Sequence, residues 1–311
     1  MSLWIVAIFC GAGLFIGYVL PQGSKFYSIN DRVTQMGLVL LLLAMGAQIG
    51  MDEKIISQLN HIGFHAFLLA LSSIVGSVIF LYLLTPLIRL EKKEVDLNIE
   101  PDTEDENSSF NLFIILIMIS VIIGIFSGLY LFPSNLYKYF DIITIYGAGL
   151  VLFGVAVDIG RRKEIVEQIK IFGWRVLLIP LAVGLGSILG TVIIGMFINL
   201  GVNESSAIGA GFGWYSLSGV LLANIYSVKL GSLAFLTNVF REILAILSVP
   251  LVAKYIGKIT SIAPGGASTM DVNLPVVKEA AGNVVVIPAF ISGVILTALV
   301  PILVPLLVNL G

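Results

Sequence analysis

The stretch LGSLAFLTNVFREILAILSVPLVAKYI, residues 230–256, decides the fold class of this chain. A helix needs roughly 20 mainly apolar residues to cross a hydrocarbon core about 30 Å thick, and this stretch is longer than that. It nevertheless carries two charged residues near its middle, Arg241 and Glu242. Because charged residues inside a membrane are costly and usually functional, the stretch predicts a membrane-spanning helix with a functional centre.

The composition of the whole chain leads to the same class. Of its 311 residues, 58% are hydrophobic and 12% are charged, and the mean hydropathy is +1.05. Soluble domains carry about 25% charged residues, so the composition excludes a cytosolic enzyme and a secreted domain. A net charge of -2 without a basic tract excludes a nucleic-acid partner, and one Cys with two His leaves little for a metal site or resident cofactor.

Seven more stretches are long and apolar enough to cross a membrane. The sequence therefore predicts an all-α integral membrane protein with about eight transmembrane helices, at 3–20, 33–50, 62–90, 110–132, 142–157, 171–200, 230–256 and 284–310. Two further apolar stretches, 207–228 and 259–282, are interrupted by glycine, proline and polar residues. Such stretches are typical of broken or re-entrant segments, which occur at membrane depth only where protein or a water-filled cavity covers the backbone.

The basic residues of the short loops predict the orientation. With both termini outside, 13 of the 17 Lys and Arg residues fall on the cytoplasmic side and only Lys54, Lys138 and Lys229 fall outside. The remaining one, Arg241, lies within a span. This bias follows the rule that cytoplasmic loops are rich in Lys and Arg. We therefore expect a multi-pass protein of the cytoplasmic membrane, with both termini outside and an acidic cytoplasmic linker at 91–109.

The first two thirds of the chain contain a weak internal repeat. At an offset of 110, nine identities fall between residues 49–77 and 159–187, including Gly76 with Gly186 and Ser77 with Ser187. At an offset of 111, Gly17 and three neighbours match residues near 128. Because each copy holds three spans, an odd number, the pattern predicts an inverted-topology repeat, as in many secondary transporters. The predicted segments are 1–90, the linker 91–109, 110–200, and a C-terminal transport region at 201–311.

The charged pair in the stretch 230–256 is the first candidate site. Adjacent positions on a helix lie about 100° apart, so Arg241 and Glu242 cannot face each other and each needs its own partner. Asn238 lies one turn before Glu242 and shares its face. The alternative is a structural ion-pair network that holds the helices together.

Polar and aromatic residues in the interrupted segments, and one at a span end, complete the candidate set. The run GASTMDVNLP, residues 266–275, can offer backbone carbonyls and short side chains to a cation, and the run GFGWYSLSG, residues 211–219, can offer cation-π contacts and hydroxyls. Asp158 ends the fifth span, where a helix-end charge is the simpler explanation. The candidates from these places are Asp271, Asn273, Trp214, Tyr215, Ser216, Ser218 and Asp158.

The runs GFGWYSLSG, FREILAI and GASTMDVNLPV, in this order and spacing, resemble the bacterial lysine exporter family of the LysO type. The resemblance is strongest at residues 211–275 and continues at lower similarity through the eight spans. It implies an inner-membrane exporter of L-lysine and close basic analogues, with both termini outside. It also points to Glu242 as the leading intramembrane carboxylate.

A lysine substrate is consistent with these residues, although other small cations and amino acids would be as well. Glu242 or Asp271 can meet an ammonium group, and Arg241 can meet the carboxylate. Moving one positive charge outward against an interior-negative potential costs about 2.3 kcal/mol per 100 mV, so export needs a coupling ion. We expect a proton, with sodium as the other candidate.

Other functions remain open at this stage. They are a sodium-coupled carrier of another amino acid or an organic anion, and a passive channel. An intramembrane protease is disfavoured because the chain lacks the motifs of one. The sequence does not decide between a monomer and a homo-oligomer.

Overall fold

The computed structural model describes residues 3–21, 25–51, 59–88, 119–120, 122–133, 136–161, 173–270 and 272–310. Within these ranges the regular secondary structure is helical, without strands. An apolar chain in a bilayer must satisfy its backbone groups internally, and a helix does so within one segment. The predicted linker 91–109 and Asp271 lie outside the described residues.

The helices are numbered here in chain order. They are α1 (Leu3–Val19), α2 (Lys25–Met51), α3 (Leu59–Leu84), α4 (Tyr137–Arg161), α5 (Leu178–Phe197), α6 (Val202–Gly209), α7 (Tyr215–Ile225), α8 (Val228–Tyr255), α9 (Leu274–Ala281) and α10 (Val286–Val308). Residues 122–130 are also helical. Short 3₁₀ turns precede α5 and α10, and others occupy Thr260–Ile262 and Gly266–Met270.

Five helical stretches among the described residues are long and apolar enough to cross a membrane. They are Lys25–Met51, His61–Leu87, Trp174–Phe197, Val228–Tyr255 and Asn283–Val308. Each contains most of one predicted span, so the prediction of an all-α membrane protein is confirmed. The predicted spans at 3–20, 110–132 and 142–157 stay predictions.

Contacts divide the chain into two compact units that interleave along the sequence. The first unit comprises Met1–Gly63, Asp105–Lys163 and Ser216–Phe235, and the second comprises Phe64–Glu104, Glu164–Tyr215 and Leu236–Gly311. The units are groups of contacts in space, whereas the predicted segments are stretches of sequence. The segment boundaries therefore stay a prediction.

Glycines bring helices close together in the first unit. A Cβ at Gly17 would meet the carbonyl oxygen of Val157, so α1 packs directly on α4. A Cβ at Gly128 would likewise meet the carbonyl oxygen of Ala47, so the helical segment 122–130 packs on α2. Small residues at helix contacts are a common way to achieve close packing in membranes, where no hydrophobic force drives helices together.

In the second unit, α3 and α5 approach each other at three glycines, Gly76, Gly186 and Gly190. A Cβ at Gly76 would meet the carbonyl oxygen of Gly186, and a Cβ at Gly186 would meet that of Gly76. Next to this contact, the Ser77 hydroxyl on α3 donates to the Val183 carbonyl of α5 at 2.9 Å. A Cβ at Gly190 would meet the carbonyl oxygen of Ser72, so the two helices touch backbone to backbone there as well.

Both glycine-rich segments depart from continuous α-helix, as their composition predicts. The first interruption separates α6 from α7, and there Phe212 and Gly213 have φ angles of 50° and 95°. The second interruption precedes α9, and there Gly266 has a φ angle of 57°. Positive φ values favour glycine because it has no Cβ, which explains two of these three positions.

Candidate functional site

The two interruptions meet in the second unit. The backbone N–H of Ala267 donates to the carbonyl of Phe212 at 2.9 Å. A Cβ on Gly213 would lie 3.4 Å from the carbonyl oxygen of Gly265, so the two backbones pass without side chains between them. We call this contact, formed by residues 211–214 and 263–267, the crossing.

Asn238 on α8 forms a hydrogen bond with the first interruption at the crossing. Its Oδ1 accepts a hydrogen bond of 2.7 Å from the backbone N–H of Gly213, and the side chain is buried. The interruption of the helix removes an intrahelical acceptor from this N–H, and the Asn238 amide replaces it. A candidate residue chosen from sequence is therefore in direct contact with the broken backbone.

Arg241, one turn further along α8, is only 1% exposed and reaches the other side of the crossing. Its Nε donates to the carbonyl of Pro264 at 3.3 Å, and its Nη2 donates to that of Ala263 at 3.4 Å. Its Nη1 donates to the hydroxyl of Ser187 at 2.6 Å, and Nη2 also donates to that of Ser77 at 3.3 Å. All four of these acceptors are neutral.

Glu242 follows directly and is 7% exposed. It lies one helical turn after Asn238, as the sequence predicts, so its face of α8 is the face that contacts Gly213. Among the described residues, Arg241 and Glu242 are the charged side chains that the fold buries. Burial of charge within an apolar helix costs about 2.5 to 3.5 kcal/mol even on insertion scales, which sets both apart from the rest of the helix.

Asn273 extends the site from the second interruption. Its Nδ2 donates to the Ser268 hydroxyl at 2.6 Å, and the Ser268 hydroxyl donates to the Gly265 carbonyl at 2.8 Å. These bonds fix the segment next to the crossing. Within the part of the chain that the structure describes, the buried Oδ1 of Asn273 has no hydrogen-bond donor, so it can accept one from a ligand.

The remaining candidates divide between the two units. Tyr215 is buried and Trp214 partly buried, and both directly follow Gly213 at the crossing. Ser216 and Ser218 are buried in the first unit, on α7.

Asp158 also belongs to the first unit, near the end of α4. It forms an ion pair of 3.0 Å with Arg161, and both side chains are about one third exposed. This agrees with the interpretation of Asp158 as a helix-end charge. Asp271, as stated, lies outside the described residues.

Sequence reasoning missed the two serines that accept from Arg241. Ser77 and Ser187 appear in the repeat as a matched pair, yet serines in apolar helices are common and carry no charge to draw attention. The available signal was their position beside Gly76 and Gly186, which are also matched. A matched Gly-Ser pair in two spans could have suggested a close, polar helix contact.

Comparison with known proteins then fixes the family. The family model described as lysine exporter LysO matches residues 7–97 and 118–308. The chain belongs to this lysine exporter family. The LysO family consists of transporters and not of enzymes, and with the five apolar helices it indicates a multi-pass protein of the inner membrane.

Two curated relatives show the same similarity. The lysine exporter LysO of Escherichia coli K12 is 34% identical over 155 residues, which cover 50% of this chain and 51% of the relative. A putative lysine exporter of Haemophilus influenzae is 33% identical over 189 residues, which cover 58% of this chain and 91% of the relative. The chain thus matches about half the length of the E. coli protein. No solved structure matches the chain.

Proposed function

We propose that this protein exports L-lysine and close basic analogues across the bacterial cytoplasmic membrane, by alternating access and in exchange for protons. Membership of the LysO family carries the proposal, since the E. coli relative is named as a lysine exporter and the H. influenzae relative as a putative one. The buried polar groups around the crossing add chemical support. They offer a carboxylate, an amide oxygen and interrupted backbone within one compact unit.

Glu242 is the proposed exchange group. A buried carboxylate can hold either a proton or an ammonium group, because either one neutralises its charge. Its place on α8, one turn from the amide that holds Gly213, puts it next to the first interruption. Asn273, whose Oδ1 can accept a hydrogen bond, is a second contact for an ammonium group. Asp271 stays a further candidate from sequence.

Exchange for a proton also answers the energetic problem of lysine export. Lysine has one net positive charge, and moving it outward against 100 mV costs about 2.3 kcal/mol. One proton moving inward for each lysine cancels the charge movement, so the membrane potential no longer opposes export. A proton gradient directed inward then supplies a driving force.

An inverted repeat with about eight spans, and with both termini outside, is the proposed architecture. A two-fold relation between the copies would turn a contact of Gly17 with Val157 into a contact of Gly128 with Ala47, because these residues are mates at offsets of 111 and 110. Both contacts exist in the first unit. Gly76 and Gly186 are mates that contact each other in the second unit, as residues on a two-fold axis would. These paired contacts support the repeat, and two equivalent halves suit alternating access.

Transport by purified protein in proteoliposomes tests the proposal. Liposomes loaded with labelled lysine should release it against a lysine gradient when a proton gradient directed into the liposomes is imposed. A sodium gradient alone should have no effect. Dependence on sodium would favour the sodium-coupled carrier. Lysine flux that only follows its own gradient would favour a channel, and no lysine flux in any condition would refute lysine as the substrate.

A further inference from the structure

We propose that Arg241 is a positioning residue, whose guanidinium connects the crossing to α3 and α5 through hydrogen bonds. In this role Arg241 does not contact the substrate carboxylate. The part of this inference that concerns the substrate rests on the proposed lysine export. The part that concerns the crossing rests on the contacts of the second unit alone.

Both edges of the guanidinium fork are already engaged. A carboxylate binds arginine best with two parallel hydrogen bonds along one edge of the fork. The edge formed by Nε and Nη2 donates to the successive carbonyls of Pro264 and Ala263. The edge formed by Nη1 and Nη2 donates to the hydroxyls of Ser187 and Ser77. A substrate carboxylate would have to displace two of these acceptors.

The carbonyls explain why a side chain with several hydrogen-bond donors is needed at this place. Residues 263–265 form a turn between two short 3₁₀ segments, so their carbonyls are not all used within a continuous helix. Buried carbonyl dipoles need donors, and a guanidinium supplies several in a fixed geometry. Gly266 leaves room for it, since a Cβ on Gly266 would lie 2.9 Å from Nη2.

Ser77 and Ser187 each accept a hydrogen bond from Arg241 and donate one to a backbone carbonyl. Each hydroxyl has one proton, which Ser77 donates to the Val183 carbonyl and Ser187 to the Gly209 carbonyl at 2.6 Å. Their lone pairs are therefore free to accept from Arg241. Gly209 ends α6 at the first interruption, so Arg241 is linked to the first interruption through Ser187. It is linked to the second interruption directly, through the carbonyls of Ala263 and Pro264.

The two serines are repeat mates, and their glycine neighbours form a backbone contact between α3 and α5. The Arg241 side chain thus joins the crossing to Ser77 and Ser187, which are equivalent positions of the two repeat copies. We call this set of hydrogen bonds the joint. Loss of this joint should impair the conformational step of transport while leaving recognition of the substrate carboxylate unchanged.

The first test uses the serines, which are milder to replace than a buried arginine. Ser187→Ala should lower the maximal rate of labelled lysine export at least about fivefold while KM changes less than about twofold, because a transition and not a binding contact is impaired. Ser77→Ala, with the longer bond, should have a smaller effect in the same direction. Ser73→Ala is the matched control: among the described residues this buried serine on α3 donates within its own helix, to Ala70 at 2.7 Å, and its loss should change neither value.

The second test asks directly about the substrate carboxylate. Lysinamide has the two ammonium groups of lysine without the carboxylate, and the ratio of lysine to lysinamide affinity measures how much the carboxylate contributes. In Arg241→Gln this ratio should stay within about twofold of wild type. A fall in the ratio of about tenfold or more would make Arg241 a substrate contact and overturn the inference. If Arg241→Gln does not fold, the same ratio in Arg241→Lys decides in its place, because lysine keeps the charge but cannot bind a carboxylate with two parallel hydrogen bonds.

A third measurement separates this inference from the proposed function. If wild-type protein does not move lysine, the proposed function fails, and thermal unfolding of the purified protein still tests the joint. Losses of unfolding temperature in Arg241→Lys and Ser187→Ala should not add in the double variant, since both remove the same hydrogen bond. Additive losses would show that the two residues act separately and would refute the joint.

Discussion

Gly76→Ala provides a quantitative test of the contact between α3 and α5. A Cβ at this position would meet the carbonyl oxygen of Gly186, with the carbonyl carbon at 3.0 Å and the Cα of Gly190 at 3.2 Å. All of these are backbone atoms, which cannot rotate away as a side chain can. The helices would have to move apart along their contact.

The matched control is Gly63→Ala on the same helix, where a Cβ would have no neighbouring atom of the described residues within 4 Å. An alanine gains about 0.5 to 1 kcal/mol over a glycine in a helix interior, and this gain applies to both variants. Overpacking at Gly76 costs about 1 to 3 kcal/mol. We therefore expect Gly63→Ala to be neutral or slightly stabilising, and Gly76→Ala to be less stable than that control by about 1 to 3 kcal/mol.

Unfolding of purified protein in detergent or nanodiscs, by heat or by denaturant, measures the difference between the two variants. Gly186→Ala should behave like Gly76→Ala, since each would place its Cβ against the backbone of the other helix. Equal stability of Gly76→Ala and Gly63→Ala would refute a direct backbone contact at this point.

Three further outcomes follow from charge and hydrogen bonding. Cysteines placed at Lys138 and Lys163, in a background without the native cysteine, should be labelled from outside and from inside respectively; labelling of both from one side would contradict the proposed orientation. Asp158→Asn should lower the free energy of unfolding by less than about 1 kcal/mol, because its ion pair is partly exposed, and a larger loss would show a buried role. Asn238→Ala leaves the N–H of Gly213 without its acceptor and should cost about 1 to 3 kcal/mol, which a denaturant titration would detect.

Hydropathy and turn composition predict much of this fold because each acts locally. The five long apolar helices coincide with predicted spans, and the helix breaks fall where glycines cluster, at 211–213 and 265–266. The adjacency argument for Arg241 and Glu242 also depends only on helix geometry. Such properties need no knowledge of the tertiary structure.

The partners of these residues could not be predicted in the same way. Ser187 and Ser77 lie 54 and 164 residues from Arg241 in sequence, and their hydroxyls become acceptors only after three helices and the crossing have packed. The sequence suggested a substrate carboxylate as the partner of Arg241, because lysine carries one carboxylate that a guanidinium can bind. Neutral carbonyls freed by a broken helix fill that role without leaving a signal in composition.

The central claim is that Glu242 exchanges protons for lysine, and proton-driven lysine flux through Glu242→Gln tests it most directly. The glutamine keeps the size and hydrogen bonding of the carboxylate but cannot titrate, so folded variant should be recovered in normal amount while coupled export fails. Glu279→Gln, which alters an exposed carboxylate on α9, should transport normally. Near-normal proton-driven flux in well-folded Glu242→Gln would contradict the account and leave Asp271 as the next candidate.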